Sequence, residues 1–201
     1  MTEATQELHP KEISKIQEKF PDAYLGWKSF RGNLYVFINK DSLRDVIYFL
    51  KTDKELKYEY FVECTAADYS QWEHERDLEG RFEVIYNLMS VVSFSRLFIK
   101  VGVNEDETID SITDIFLGAD YPEREVSDMF GITFKGNELK QRFMMPDDWN
   151  GYPLRKEFPL GGEDVVFDQN TKGPAVEDKS TPHAGESFEG KTGTSEISGR
   201  K

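Results

Sequence analysis

The chain has 201 residues, 38% of them hydrophobic and 13% aromatic, and a formal net charge of −13. The length fits one domain of ordinary size with an appended tail, and the apolar fraction is enough for a core. The charge excludes nonspecific binding to nucleic acid or anionic lipid, which needs clustered Lys and Arg; it leaves open plain solubility and a part in choosing a partner.

The first twelve residues, MTEATQELHPKE, are acidic and polar, unlike a signal or transit peptide. Residues 8–20 place Ile13, Ile16, Gln17 and Phe20 at helical spacing, and Pro21 ends the run. Two short strands are predicted over residues 24–28 and 33–39, joined by Arg31-Gly32-Asn33. Asp41 has the character of an N-cap. Leu43, Val46, Ile47 and Leu50 then form one face of a helix running to about Thr52. Three longer strands follow. Residues 58–65 are aromatic and branched. Phe82, Val84, Tyr86 and Leu88 alternate with Glu83 and Asn87. Leu97, Ile99, Val101 and Val103 alternate with Lys100, Gly102 and Asn104. A polar loop over residues 70–80 separates the first two. The order helix, two strands, helix, three strands predicts an α+β domain over residues 1–119, a two-layer sandwich with helices on one face of the sheet.

Residues 120–162 read differently. Asp120 is placed to cap a short helix, with Pro122 early and Glu123 at the capping-box position. Val126, Met129 and Phe130 form its apolar face, and Gly131 is placed to end it in a left-handed conformation. Arg124 and Asp128 are four apart and can pair along it. By composition alone this also fits an ordinary surface helix. From Phe143 to Leu160, Pro146, Pro153, Pro159 and Asn150-Gly151 dictate extended pieces joined by turns. A core strand does not tolerate these prolines, and a solvated loop does not need so many aromatics. The stretch reads as built to lie along another surface. Trp149, Tyr152 and Phe158 would be aromatic anchors there. Arg155 and Lys156 would meet carboxylates of a partner, and Glu123, Glu125 and Asp128 would do the reverse. Residues 163–201 hold few large apolar side chains. They are expected to be mobile alone and to order on a partner as an extended arm beginning at Val165.

The residue inventory excludes most chemistry. Three histidines (His9, His74, His183) and the single Cys64 cannot build a Cys/His zinc site or an iron–sulfur cluster. Each histidine reads as a surface residue. One cysteine permits no internal disulfide and fits a reducing compartment. No GxGxxG fingerprint occurs, and no apolar run approaches the roughly 20 residues that span a bilayer. Residues Gly185–Thr192 match the phosphate-loop pattern GxxxxGK[ST], but no apolar strand precedes them and no helix has room to follow. Paired carboxylates such as Asp147-Asp148, or Glu123 with Asp128, raise a hydrolase as an alternative. Adjacent carboxylates on an extended chain point to opposite sides and are badly placed to share a substrate. The expectation is a chain without catalytic, cofactor-binding or metal-ligating residues.

The block EREVSDMFGITFKG, followed by MMPDDW, GYPLRK and EFPL, resembles the C subunit of proton-translocating NADH:quinone oxidoreductase, respiratory complex I. The resemblance runs to about Leu160 and is most specific from Glu123 onward. It implies an α-β-β-α-β-β-β domain. It also implies a scaffold role in the peripheral arm, on the cytoplasmic side of a bacterial inner membrane. The partner implied is the large subunit of the quinone module, itself similar to the nickel–iron hydrogenase large chain. FMN, iron–sulfur clusters and quinone would belong to partner subunits. The candidate interface residues are Glu123, Arg124, Glu125, Asp128, Phe130, Arg142, Trp149, Tyr152, Arg155, Lys156 and Phe158. The chain departs from the family pattern in carrying Gly136-Asn137-Glu138 where Gly-His-Pro is usual. It also has Gln141-Arg142 where two arginines are expected, so Arg142 alone carries over. Membrane-bound hydrogenases, formate-hydrogenlyase-type complexes and the plastoquinone-reducing complex carry similar domains. The run through PDDW and PLRKEFPL favours the NADH-linked family.

Overall fold

The structure, a computed structural model, describes residues 10–137 and 141–159. Chain contacts divide the protein into a unit ending at Pro159 and a second from Leu160 onward. The expected C-terminal arm and the phosphate-loop match therefore lie outside the described residues, as do His9 and His183.

The elements follow in the order α1 (Lys11–Lys19), β1 (Tyr24–Phe30), β2 (Asn33–Ile38), α2 (Leu43–Thr52), β3 (Tyr60–Asp68), β4 (Phe82–Ser90), β5 (Ser95–Val103), β6 (Thr108–Asp110), α3 (Asp120–Phe130) and β7 (Thr133–Lys135). Five strands form one sheet in the order β1-β2-β5-β4-β3. Within this sheet the β2–β5 pairing is parallel and the other three are antiparallel. The β1–β2 hairpin turns at Arg31 and Gly32, both with positive φ (52° and 79°), the backbone sense that matches strand twist.

Strand alternation decides which side chains enter the core. Val36, Ile99, Tyr86 and Cys64 sit opposite one another across four strands and are all buried. Phe82, Val84 and Leu88 of β4 and Leu97, Val101 and Val103 of β5 share that face. Ile13 and Ile16 of α1, and Leu43, Val46, Ile47 and Leu50 of α2, close over it. Each such side chain contributes roughly 1.5–3 kcal/mol on leaving water. The α+β class and the order of the main elements are as the sequence predicts.

Several local details differ. Gln17 is exposed; Glu12 takes the inner place on α1, where its carboxylate accepts from the Tyr58 hydroxyl at 3.2 Å. Tyr58 itself precedes β3, and β3 extends to Asp68 instead of ending at Thr65. Asp41 is no cap: the Asn39 side chain accepts from the Asp41 N–H, and a 3-10 turn over Lys40–Ser42 leads into α2. Asp120 lies in the first turn of α3, where Ala119 holds the cap position without a side-chain bond. The short parallel pair β6–β7 is absent from the sequence reading, since three residues carry too little pattern to show.

Candidate functional site

Residues 141–159 contain no regular element, as their prolines predict, yet they are strapped onto the chain's own domain at three points. The first is Asp128 of α3. Its Oδ2 accepts the backbone N–H groups of Phe143, Met144 and Met145 at 3.1, 2.7 and 2.9 Å, and its Oδ1 accepts from Arg142 Nη1 at 2.9 Å. Burial alone would raise this carboxyl, but these donors outweigh it and hold it below the ordinary aspartate value. Arg142 also donates to the Gly151 carbonyl at 3.1 Å, closing the strap on itself. Asp128 therefore pairs with Arg142 and not with Arg124.

The second point is the C-terminal end of α3, whose last carbonyls lack helical partners. The Leu154 N–H donates to the Met129 carbonyl at 3.1 Å, and Arg155 Nε donates to the Phe130 carbonyl at 2.6 Å. A cation here also suits the negative end of the helix dipole. Arg155 lies over the Tyr152 ring, 4.4 Å from its centre, and pairs with Glu105. Gly131 makes room for this. Its φ is +76°, and a Cβ there would stand 2.6 Å from both Tyr152 and Arg155.

The third point is Asp68 at the end of β3. Its carboxylate accepts the Lys156 N–H at 2.9 Å, the Ser70 N–H at 2.9 Å and Arg81 Nη2 at 3.1 Å. Burial pushes this carboxyl up; the Arg81 bond first, then the Lys156 and Ser70 amides, bring it down to about 2. Arg81 also binds Glu105 at 2.7 Å and pairs with Glu157.

A further carboxylate holds the start of α3. Glu123 is fully buried, and its side chain accepts from Ile112 N–H (2.9 Å), Ser111 Oγ (2.5 Å), Tyr86 OH (3.2 Å) and Asn137 Nδ2 (3.3 Å). Burial is the dominant influence and raises its carboxyl above the ordinary value, against the pull of these donors. Asn137 also donates to the Asp120 carbonyl at 3.3 Å, so it ties the turn after β7 to the first turn of α3.

The predicted interface residues thus divide. Glu123, Asp128 and Phe130 turn into their own chain and are not surface groups; Phe130 packs edge-on against Phe82 with centroids 6.3 Å apart. Arg142, Tyr152 and Arg155 are half-buried in the strap contacts. Trp149 and Phe158 stack on each other, centroids 6.2 Å apart. Glu125 and Lys156 are exposed. Arg124 lies between the Tyr121 and Phe143 rings. Sequence reasoning missed Asp68, Arg81 and Glu105, whose isolated charges carry no pattern. It also missed Tyr121, Phe143 and Met144, which are exposed together; the apolar run Phe143-Met144-Met145 in a polar stretch was an available signal. No group of three or more His, Cys, Asp or Glu side chains among the described residues is arranged to hold a metal ion. No helix among them is long and apolar enough to cross a membrane.

The family model of the respiratory-chain NADH dehydrogenase 30 kDa subunit matches residues 36–164. The chain belongs to this family. It is similar to the C subunit of the NADH-quinone oxidoreductase of Roseiflexus castenholzii, 42% identical over 81% of this chain and 90% of that one. The corresponding C subunit of Citrifermentans bemidjiense is 39% identical over 76% of this chain and 90% of its own. Among solved structures, the trypsin-resistant fragment of Nqo5 superposes with a TM-score of 0.55 at 26% identity, covering 64% of this chain and 98% of the fragment. A chain of the archaeal membrane-bound sulfane sulfur reductase gives 0.60 at 28% identity, covering 74% and 84%. The 30 kDa family match begins within β2 and runs through β3, β4 and β5, α3 and the strap alike, so the strap is part of the family domain and not an accessory to it.

Proposed function

We propose that this chain is a non-catalytic scaffold subunit in the peripheral arm of a proton-translocating NADH:quinone oxidoreductase. The family match over residues 36–164, with relatives of that name up to 42% identical, carries the reading. Flavin, iron–sulfur clusters and quinone belong to its partners, in keeping with one cysteine and three histidines. Its partners are other subunits of that complex, chiefly the hydrogenase-like large subunit of the quinone module, on the cytoplasmic side of the membrane. Electron transfer needs cofactors at fixed separations, so neighbouring subunits must be clamped. A strap already fixed on its own domain loses little further freedom when a partner covers it.

Residues 121–160 form the main partner surface in this reading. Trp149→Ala should weaken assembly by about 2 kcal/mol; Arg155→Ala should weaken it indirectly, by releasing the strap from the Phe130 carbonyl and from Glu105. Affinity purification from native membranes tests the assignment. A flavin-containing assembly that oxidises NADH is the expected result; a lone active protein would overturn it. The likeness to the sulfane sulfur reductase chain supports a second reading, a related complex with another electron donor or acceptor. Co-purification of such a complex without an NADH-oxidising module would establish that reading instead.

A further inference from the structure

We propose that Arg124, held between Tyr121 and Phe143, is the receptor for a carboxylate on the neighbouring subunit, and that these side chains with Met144 form the centre of that interface. This rests on the scaffold reading above and names the chemistry of its partner. The Arg124 guanidinium carbon lies 5.4 Å from the centre of the Tyr121 ring and 5.3 Å from that of Phe143. The two rings are themselves 5.2 Å apart. Both are open to solvent, Tyr121 by 58% and Phe143 by 40%, and Met144 beside them by 56%. Leu117, four residues before Tyr121, is 88% exposed.

What marks Arg124 is the missing anion. The other half-buried arginines among the described residues each bind a carboxylate: Arg76 with Glu83, Arg81 with Asp68, Arg142 with Asp128 and Arg155 with Glu105. Arg124 has none there; its Nε is buried without an acceptor, as is that of Arg76, but Arg76 has Glu83 on its Nη2 and Arg124 has no carboxylate on any nitrogen among the described residues. In a chain of net charge −13, a cation left unpaired is not a shortage of carboxylates. Asp128, one helical turn away, is instead directed to the strap. The two rings fix the guanidinium plane in advance, so a bidentate partner would find it already oriented. Tyr, Phe, Met and Arg are also the side chains that concentrate at the centres of interfaces. An apolar partner without an acceptor would bury this cation unpaired, at a cost that opposes docking. The occupant is therefore a protein segment carrying Asp or Glu beside apolar residues.

The experiment uses the full chain in its native membranes. Arg124→Glu should lower the assembled complex on native gels at least tenfold, while Arg124→Lys, which keeps the charge but loses the planar fork, should give an intermediate loss. The isolated Arg124→Glu chain should keep the parent's circular dichroism and a cooperative thermal transition, its midpoint lowered only slightly by loss of the two ring contacts. Independently, a photo-crosslinking residue replacing Tyr121 should capture a peptide of a neighbouring subunit that contains Asp or Glu. Full assembly of Arg124→Glu would overturn the proposal, as would capture of a second copy of this chain, of lipid, or of a peptide without an acidic residue. If the unaltered chain joins no other subunit, the scaffold reading itself fails; if it assembles and Arg124→Glu does too, only the carboxylate receptor fails.

Discussion

Asp128 shows what a single carboxylate does that its amide cannot. One oxygen faces three backbone N–H groups and the other faces a guanidinium, so every neighbour is a donor. An asparagine must turn its NH2 toward one set or the other, and neither backbone amides nor arginine can reverse to accept. Asp128→Asn should therefore cost roughly 1–3 kcal/mol and expose residues 142–145 to faster amide exchange, with the sheet unaffected. Unchanged exchange in that segment would show that the strap is held elsewhere. The spacing of Arg124 and Asp128 was legible in the sequence, but their pairing was not. Asp128 is committed to donors arriving from more than a dozen positions away, and local helical geometry loses to them.

At the scale of elements, the end of α3 and the end of β3 are joined through the strap. Gly131→Ala combines two faults, a left-handed φ and a Cβ within 2.6 Å of Tyr152 and Arg155. The strained backbone alone costs about 1–3 kcal/mol. The expected result is a lower unfolding midpoint together with loss of protection around Leu154. Asp68 makes the same docking sensitive to acid. Its carboxyl is lowered from 3.8 to about 2, so it adds stability above the unfolded value, and that stability is lost as pH falls through about 2. The shift corresponds to about 2 kcal/mol. Urea unfolding of the parent chain and of Asp68→Asn should differ most near neutral pH and converge as the pH is taken down toward about 2. A difference that does not shrink in acid would show that Asp68 is not held in its charged form by Arg81 and the strap amides.

For the molecule as a whole, the charge of −13 has two readings that the fold alone does not separate. Part of it is spent internally, since Glu123, Asp128, Asp68 and Glu83 are buried and bound by donors of the same chain. The remainder faces outward. If it helps to select a partner, association of the purified chain with the depleted complex should slow as ionic strength rises, because long-range steering is screened beyond about 8–10 Å in physiological salt. A rate indifferent to salt would leave solubility as the role of the charge.

The sequence by itself determined the order of the main elements, the α+β class and the buried faces of β4 and β5, because a period of two or of 3.6 is a local property repeated over many residues. It also determined the left-handed helix end at Gly131 and the irregular course of the proline-rich segment, since glycine and proline act on their own backbone. Tertiary structure alone decided where that segment goes. Its charge and aromatics suggested a surface waiting for a partner; Arg142 and Arg155 are bound to Asp128 and to the end of α3, while Trp149 and Phe158 stack on each other and Phe143 stays open to solvent. Composition specifies that a segment must lie on something; only three-dimensional proximity specifies on what. The same holds for Glu123, read as a capping residue and found buried among Tyr86, Ser111, Ile112 and Asn137. It holds too for Arg124, whose lack of an anion among the described residues appears only once the carboxylates around it have been placed.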